Sequence, residues 1–424
     1  MTSIRMFSDV LRAAGAGVLL AVSVAGCDLN NLLEVSDPSR LLAENVEVPS
    51  QAGALMNGLE ADFLCAHGAW VQVTAVLGDE FEDTNAGGDN WSLDRRRPQS
   101  QNNWGDNDCT DALPSAYVPA SRARWVADNV TGLLESWTDQ EVAQRTARIA
   151  RASLLAGFSL NMLGTAMCTA ALDEGPELTP QQVFAEAEER FTKALDVAQA
   201  GSMADVANAA RVGRARVRLY QGDTQGALSD ARAVTEGFAM NIQPSDANNR
   251  LYNRVWASNQ FGFNFSVPAW SRNLTTGGEA DPRTATFDTG RDTGWGPGNV
   301  FAQEKYGSAN SPMPIARWEE AQLIIAEIVG GQEAVGIINA LRAPWSLPQF
   351  ASSDESEISD MVVAERQREL WFEGLRSYDL RRLSLPLFPA PGEEYQPGIK
   401  GGLYGDQTCI PLPIIETFNN GTIR

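Results

Sequence analysis

Histidine is almost absent: His67 is the only one in 424 residues, and it sits in an apolar stretch between Leu64 and Trp70. A catalytic triad or an imidazole-based metal site would have to rest on that one ring, and its setting favours packing or a local hydrogen bond. Positive charge is also scarce, with 33 Lys and Arg against 54 Asp and Glu, a net charge of −21. That balance repels nucleic acid and anionic lipid headgroups, which excludes both as natural partners. Cysteine occurs five times, at spacings that match no zinc pattern. The only long apolar run, Ala13 to Ala25, covers thirteen residues, whereas a membrane-spanning helix needs roughly 20.

What the N-terminus does contain is ordered. Arg5 and Arg12 precede the apolar run, and Val24-Ala25-Gly26-Cys27 follows it. This is the layout of a secretory signal ending in a lipobox, so residues 1–26 are predicted to be removed and Cys27 to carry lipid. Each buried acyl methylene contributes about 0.8 kcal/mol, so several chains anchor a protein stably to a membrane. Arg5, Arg12 and Asp9 leave with the signal, taking a net +1, so −21 becomes −22. The remaining Cys65, Cys109, Cys168 and Cys409 are an even number in an exported chain, and two disulfides are expected. Three connectivities are open to four cysteines; Cys65 with Cys109 and Cys168 with Cys409 is preferred, although the sequence cannot choose.

Patterning predicts a mainly α protein. After a polar tether over 27–50, residues 51–424 read as a single domain. Helical periodicity runs over Ala52 to Val76, about 117–237 and about 315–375. Within it, Ala207, Ala210, Gly213 and Ala215 are small residues suited to close helix crossings, and the turns at Asp173-Glu174-Gly175-Pro176 and Gln221-Gly222-Asp223 divide the chain into tetratricopeptide-like helix pairs. Between these stretches lie two irregular regions rich in Asn, Gly, Asp and Trp, about 78–116 and 238–314, and a Gly- and Pro-rich tail over 383–424 that should be extended.

The most distinctive segment is Glu365-Arg366-Gln367-Arg368-Glu369-Leu370-Trp371-Phe372-Glu373-Gly374-Leu375-Arg376-Ser377-Tyr378-Asp379-Leu380-Arg381-Arg382. A helix from about Glu357 to Leu375 would place Arg366, Glu369, Glu373 and Arg376 on one face as alternating ion pairs. Gly374 would let another backbone approach or ease the exit from the helix. The flanking arginines favour ion pairing over a metal held by the two glutamates. This segment resembles the C-terminal signature of the SusD/RagB family of outer-membrane nutrient-binding lipoproteins. In the expected order, Asp281-Pro282-Arg283 looks like the family's DPR element, Pro314-Ile315-Ala316-Arg317-Trp318 like its arginine-led helix start, Asn339-Ala340-Leu341-Arg342 like its N-x-x-R helix and Pro411-Leu412-Pro413 like its closing element. The resemblance implies helix pairs that support a large irregular ligand-binding region. It also implies a SusC-like TonB-dependent transporter as partner, an oligosaccharide or a peptide as ligand, and no enzymatic activity.

Sugar binding needs flat aromatic faces flanked by amide, carboxylate and guanidinium groups. The first irregular region offers Trp91, Asn102, Asn103, Trp104, Asp106 and Arg95 to Arg97; the second offers Phe287, Asp288, Arg291, Trp295 and Tyr306. Trp104 is the first choice for stacking, with anchoring of the loop as the alternative. Trp318 and Trp371 fall on helical patterns and are expected in the core. Asp79, Glu80, Glu82 and Asp83 could serve a glycosidase, but a solvated loop or a helix end is the commoner setting. Those acids, or Asp106, Asp108 and Asp111, could hold a structural calcium ion, without EF-hand spacing. The alternative function is a scaffolding envelope lipoprotein that docks another protein through its helix pairs and takes no small ligand.

Overall fold

The computed structural model describes residues 43–423 apart from position 112; the signal segment, Cys27 and the tether as far as residue 42 lie outside the described residues. Among the described residues, the N-terminal unit up to Val48 contributes one short helix, Ala43–Val46. The unit from Pro49 onward begins with α1, Ala52–Leu77. Every residue of α1 from Asp62 to Leu77 is buried, as expected of a helix that is apolar all round. Tyr117–Ser136 (α4) and Arg145–Ala166 (α5) pack against it. Two short helices lie between, Gly88–Asp94 (α2) and Asn103–Asp106 (α3).

Helices α4, α5, Pro180–Ala200 (α6), Ala204–Gln221 (α7) and Thr224–Arg232 (α8) then stack each on the next. Local sequence sets their ends. Thr179 and Gln182 form a reciprocal capping box with Pro180 in the first turn of α6, which satisfies two backbone donors the helix cannot. Gly222, at φ +85°, closes α7. The small residues expected at the crossings are used: Phe191 of α6 lies so close to Gly157 and Gly213 that a Cβ at either would sit 2.7 Å or 2.4 Å from its ring. Trp318–Val329 (α9), Gly331–Arg342 (α10), Glu355–Glu369 (α11) and Arg376–Arg382 (α12) complete the helical part. Trp371 is buried in the core and Trp318 packs against it.

The signature helix is shorter than its periodicity predicts. It ends at Glu369, and Phe372 (φ +53°) and Gly374 (φ +81°) turn the chain before α12. The four expected neighbours therefore do not pair with one another. Arg366 bonds Asp379, Glu369 bonds Arg317 and Arg283, Glu373 bonds Arg317 and Lys305, and Arg376 faces Asp79. The motifs spread along the sequence thus meet in one buried network. Arg283 of Asp281-Pro282-Arg283 reaches Asp281, Glu365 and Glu369, and Arg342 bonds Glu365 at 2.9 Å. Burial alone would raise the Glu373 carboxyl, but Arg317 and Lys305 hold it below the usual range.

Short antiparallel ladders organise the irregular parts. Ala239–Ile242 (β2) pairs with Met313–Arg317 (β6) and closes the second irregular region at its neck. Glu82–Asp83 (β1) pairs with Phe265–Ser266 (β3), joining the two irregular regions to each other. Thr286–Asp292 (β4) and Asn299–Gln303 (β5) form a hairpin. Disulfides join Cys65 to Cys109, tying α1 to the first irregular region, and Cys168 to Cys409, tying the end of α5 to the tail. The tail is less extended than expected: Ile410 bridges Met167, and Ile414–Asn419 is helical. Among the described residues no helix is long and apolar enough to cross a membrane.

Candidate ligand-binding face

The β1–β3 ladder places Asp83 opposite Phe265 and Glu82 opposite Ser266. Chain segments far apart in sequence then converge just beyond β1. The Thr84 hydroxyl donates to the Phe263 carbonyl, and the Asn85 amide donates to Asn264 Oδ1 at 2.8 Å. Trp91, half-buried on α2, donates its indole N–H to the Asn85 carbonyl at 2.7 Å. The Arg291 guanidinium lies 4.2 Å from the centre of the Phe263 ring. At the hairpin tip, Gly296 rests on the same backbone, where a Cβ would be 3.1 Å from Thr84 Cα. Its neighbour Trp295 is 52% exposed. These contacts gather Trp91, Asn85, Phe263, Asn264 and Arg291 beyond β1, with the hairpin tip that carries Trp295 resting beside Thr84. A second aromatic group adjoins Phe263 in sequence through Gly262: Trp256 and Phe261 stack at 5.5 Å, Tyr252 meets Phe261 edge-on, and Phe261 is 63% exposed.

The other candidates from the first region are placed differently. Trp104 is 2% exposed, its ring beside Phe265 and its N–H donated to the Asp89 carbonyl at 2.8 Å. Its position is that of a loop anchor, because a covered ring has no face for a sugar. Asn102 is buried, donating to Asp89 and accepting from Ser92 and the Gln99 N–H. Asn103 is exposed, with its backbone N–H on Asp89. Asp106 stands in the same α2–α3 packing, its carboxyl raised by burial. Arg96 is buried and donates to the carbonyls of Phe388, Pro389 and Gly405, fastening the tail. Tyr306 is buried with its hydroxyl on the Phe372 carbonyl, whereas Phe287 stays exposed. In all, Trp91 and Arg291 are linked through Asn85, Asn264 and Phe263, the hairpin tip next to Trp295 rests on Thr84, and Trp104, Asn102, Asn103 and Asp106 belong to the loop packing around Asp89 and α3.

The acids around β1 are buried and divided among separate partners. Asp79 faces Arg376, Glu82 faces Arg272 and Asp83 bonds Lys400. Burial, with Asp94 nearby, pushes Glu82 up to about 8. Burial raises Asp83 to about 7 against the pull of Lys400. Among the described residues no group of three or more acidic, Cys or His side chains has the arrangement of a metal site. His67 packs between Phe63 and Trp70, and burial lowers it to about 3, so it is neutral. The sequence reading missed Lys400, Asn85 and Phe263. The run Phe261-Gly262-Phe263-Asn264-Phe265, dense in aromatics, was the visible signal for Phe263, but nothing near Lys400 pointed to Trp91.

Comparison with known proteins agrees with this architecture. No curated protein sequence matches the chain. Residues 243–405 match the model of the SusD family. Among solved structures, a SusD-like carbohydrate binding protein from Bacteroides vulgatus superposes with a TM-score of 0.64 at 15% identity, covering 89% of this chain and 97% of that one. A SusD superfamily protein from Bacteroides fragilis gives 0.62 at 16%, covering 89% and 99%. Surface glycan-binding protein A from Bacteroides uniformis gives 0.61 at 15%, covering 88% and 98%. The segment that matches the SusD family model holds the motifs that meet in the buried ion network, and the fold as a whole is that of SusD-like structures.

Proposed function

We propose that this protein captures an oligosaccharide on the face carrying Trp91, Arg291 and Trp295 and passes it, unaltered, to a SusC-like TonB-dependent transporter. The observation that carries this reading is the β1–β3 ladder: it sets two aromatic, amide-rich regions side by side, although 180 residues separate Asn85 from Phe265 in the sequence. A helical scaffold that buries its own apolar faces has no packing need for an exposed indole at a hairpin tip. Trp91 and Trp295 supply ring faces, and Asn85, Asn264 and Arg291 supply donors and acceptors for hydroxyl groups. Two structural relatives carry carbohydrate or glycan binding in their names, which favours a glycan over a peptide. Lipid on Cys27 would hold the protein at the outer membrane, beside the transporter. A glycan array with calorimetry on the hits, together with a pull-down of the membrane partner, tests the proposal. A specific glycan and a co-purifying transporter are expected; a partner protein without any glycan would favour the scaffolding role.

A further inference from the structure

The tail places one side chain beneath the ligand face that no packing role requires to be charged. Lys400 is fully covered, with side-chain exposure of 0%. Its ammonium donates to the Asp83 carboxylate and, at 2.8 Å, to the Asp83 carbonyl. It also stands 5.4 Å from the centre of the Trp91 ring and 5.8 Å from that of Tyr395. A desolvated cation at this distance is drawn to the electron-rich face of an indole. Trp91 is thereby held twice, at its edge by the Asn85 carbonyl and across its ring by the ammonium. We propose that Lys400 is a positioning residue, its Asp83-bound ammonium fixing the orientation of the Trp91 indole on the ligand face. The inference rests on the binding role proposed above for Trp91, but its physical core does not need a ligand.

The same contact makes the orientation sensitive to protons. The charged and titratable groups around Asp83 are Lys400 from the tail, Asp94 from α2, Glu82 on its own strand with Arg272 facing it, and Tyr395, whose hydroxyl donates to Asp94. Burial brings Asp83 to about 7, so acid neutralises the partner of the ammonium near neutral pH. Loss of that charge breaks the ion pair and weakens the hold on the ammonium, which keeps the Asp83 carbonyl and the two rings.

The test uses the full chain labelled with 5-fluorotryptophan and observed by fluorine NMR, the Trp91 line being the one missing from Trp91→Phe. In the wild type the Trp91 line should shift with a midpoint near pH 7, and in Asp83→Asn this titration should vanish. Lys400→Met should move or broaden the Trp91 line and leave those of Trp70 and Trp371 in place. An unchanged Trp91 line in Lys400→Met, or a wild-type line that does not titrate between pH 5 and 9, overturns the proposal. Should Lys400→Met fail to fold, the wild-type and Asp83→Asn titrations still decide it. With any glycan found by array, Lys400→Met should lose affinity at least fivefold when Trp91→Ala does. If Trp91→Ala has no effect while the NMR results stand, the ligand face is wrong and the positioning contact is right.

Discussion

Gly374 lies against the face of Trp70: a Cβ there would sit 2.5 Å from the indole, and the backbone is at φ +81°. Trp70 is buried on the central helix and donates its N–H to Thr165 at 3.0 Å, so it cannot retreat. Gly374→Ala therefore meets both a left-handed backbone, unfavourable by about 1–2 kcal/mol for other residues, and an immovable ring. Overpacking adds about 1–3 kcal/mol, so a loss of about 2–5 kcal/mol is expected. Urea unfolding of the variant would show it as a lower midpoint at an unchanged slope.

Trp104 and Trp295 should answer mutation in opposite ways. Trp104→Ala removes a buried aromatic and should destabilise by about 3–5 kcal/mol. Trp295→Ala should leave the melting temperature unchanged and weaken glycan binding by a stacking contact of about 1–3 kcal/mol, or about 5- to 150-fold. Melting curves and calorimetry on both variants check this, and equal affinity for Trp295→Ala would remove the hairpin tip from the site.

Burial pushes Glu80 up to about 8, against a hydrogen bond from the Phe372 N–H, and its other oxygen has no partner. In the unfolded chain it would titrate near about 4.3. The folded state therefore holds this proton longer, and its stability falls as pH rises from about 4 to about 8, then levels off. Glu80→Gln should lie closest to the wild type at pH 5 and gain stability relative to it at pH 9. A gap between the two melting temperatures that does not widen with pH would rule Glu80 out as the group.

The two disulfides close loops of very different length, with sequence separations of 44 and 241 residues. On the chain-entropy account their removal costs about 4 and about 5.5 kcal/mol respectively. Replacing Cys168 and Cys409 by serine should thus lower the denaturant midpoint more than replacing Cys65 and Cys109. The opposite order would point to the first irregular region as the more stressed part of the fold.

Periodicity located the helices because burial on one face, or all round in α1, leaves a mark at every third or fourth residue. It failed at Glu369, since Leu370 to Leu375 keep an apolar pattern while turning, and only the positive φ of Phe372 and Gly374 reveals the break. Small residues such as Gly213 were legible as crossings, but not that Phe191 would be the ring they receive. Composition pointed to the two regions that the β1–β3 ladder joins, but it could not show that Trp104 is buried, because loop sequence does not say which of two tryptophans faces inward. The contact between Lys400 and Trp91 spans 309 residues and had no local signal at all.

The position of that lysine also sets a timetable for biogenesis. Tyr395, Gln396 and Lys400 follow α12 in the sequence, yet they are the groups that bond Asp94 and Asp83. A chain emerging N-terminus first can assemble its helix pairs early, but it must leave these carboxylates open to water until residues 395–400 have been made. The candidate ligand face is then completed only after the helix pairs. A product truncated before Tyr395 would be helical and incomplete, with its β1 region open to proteolysis.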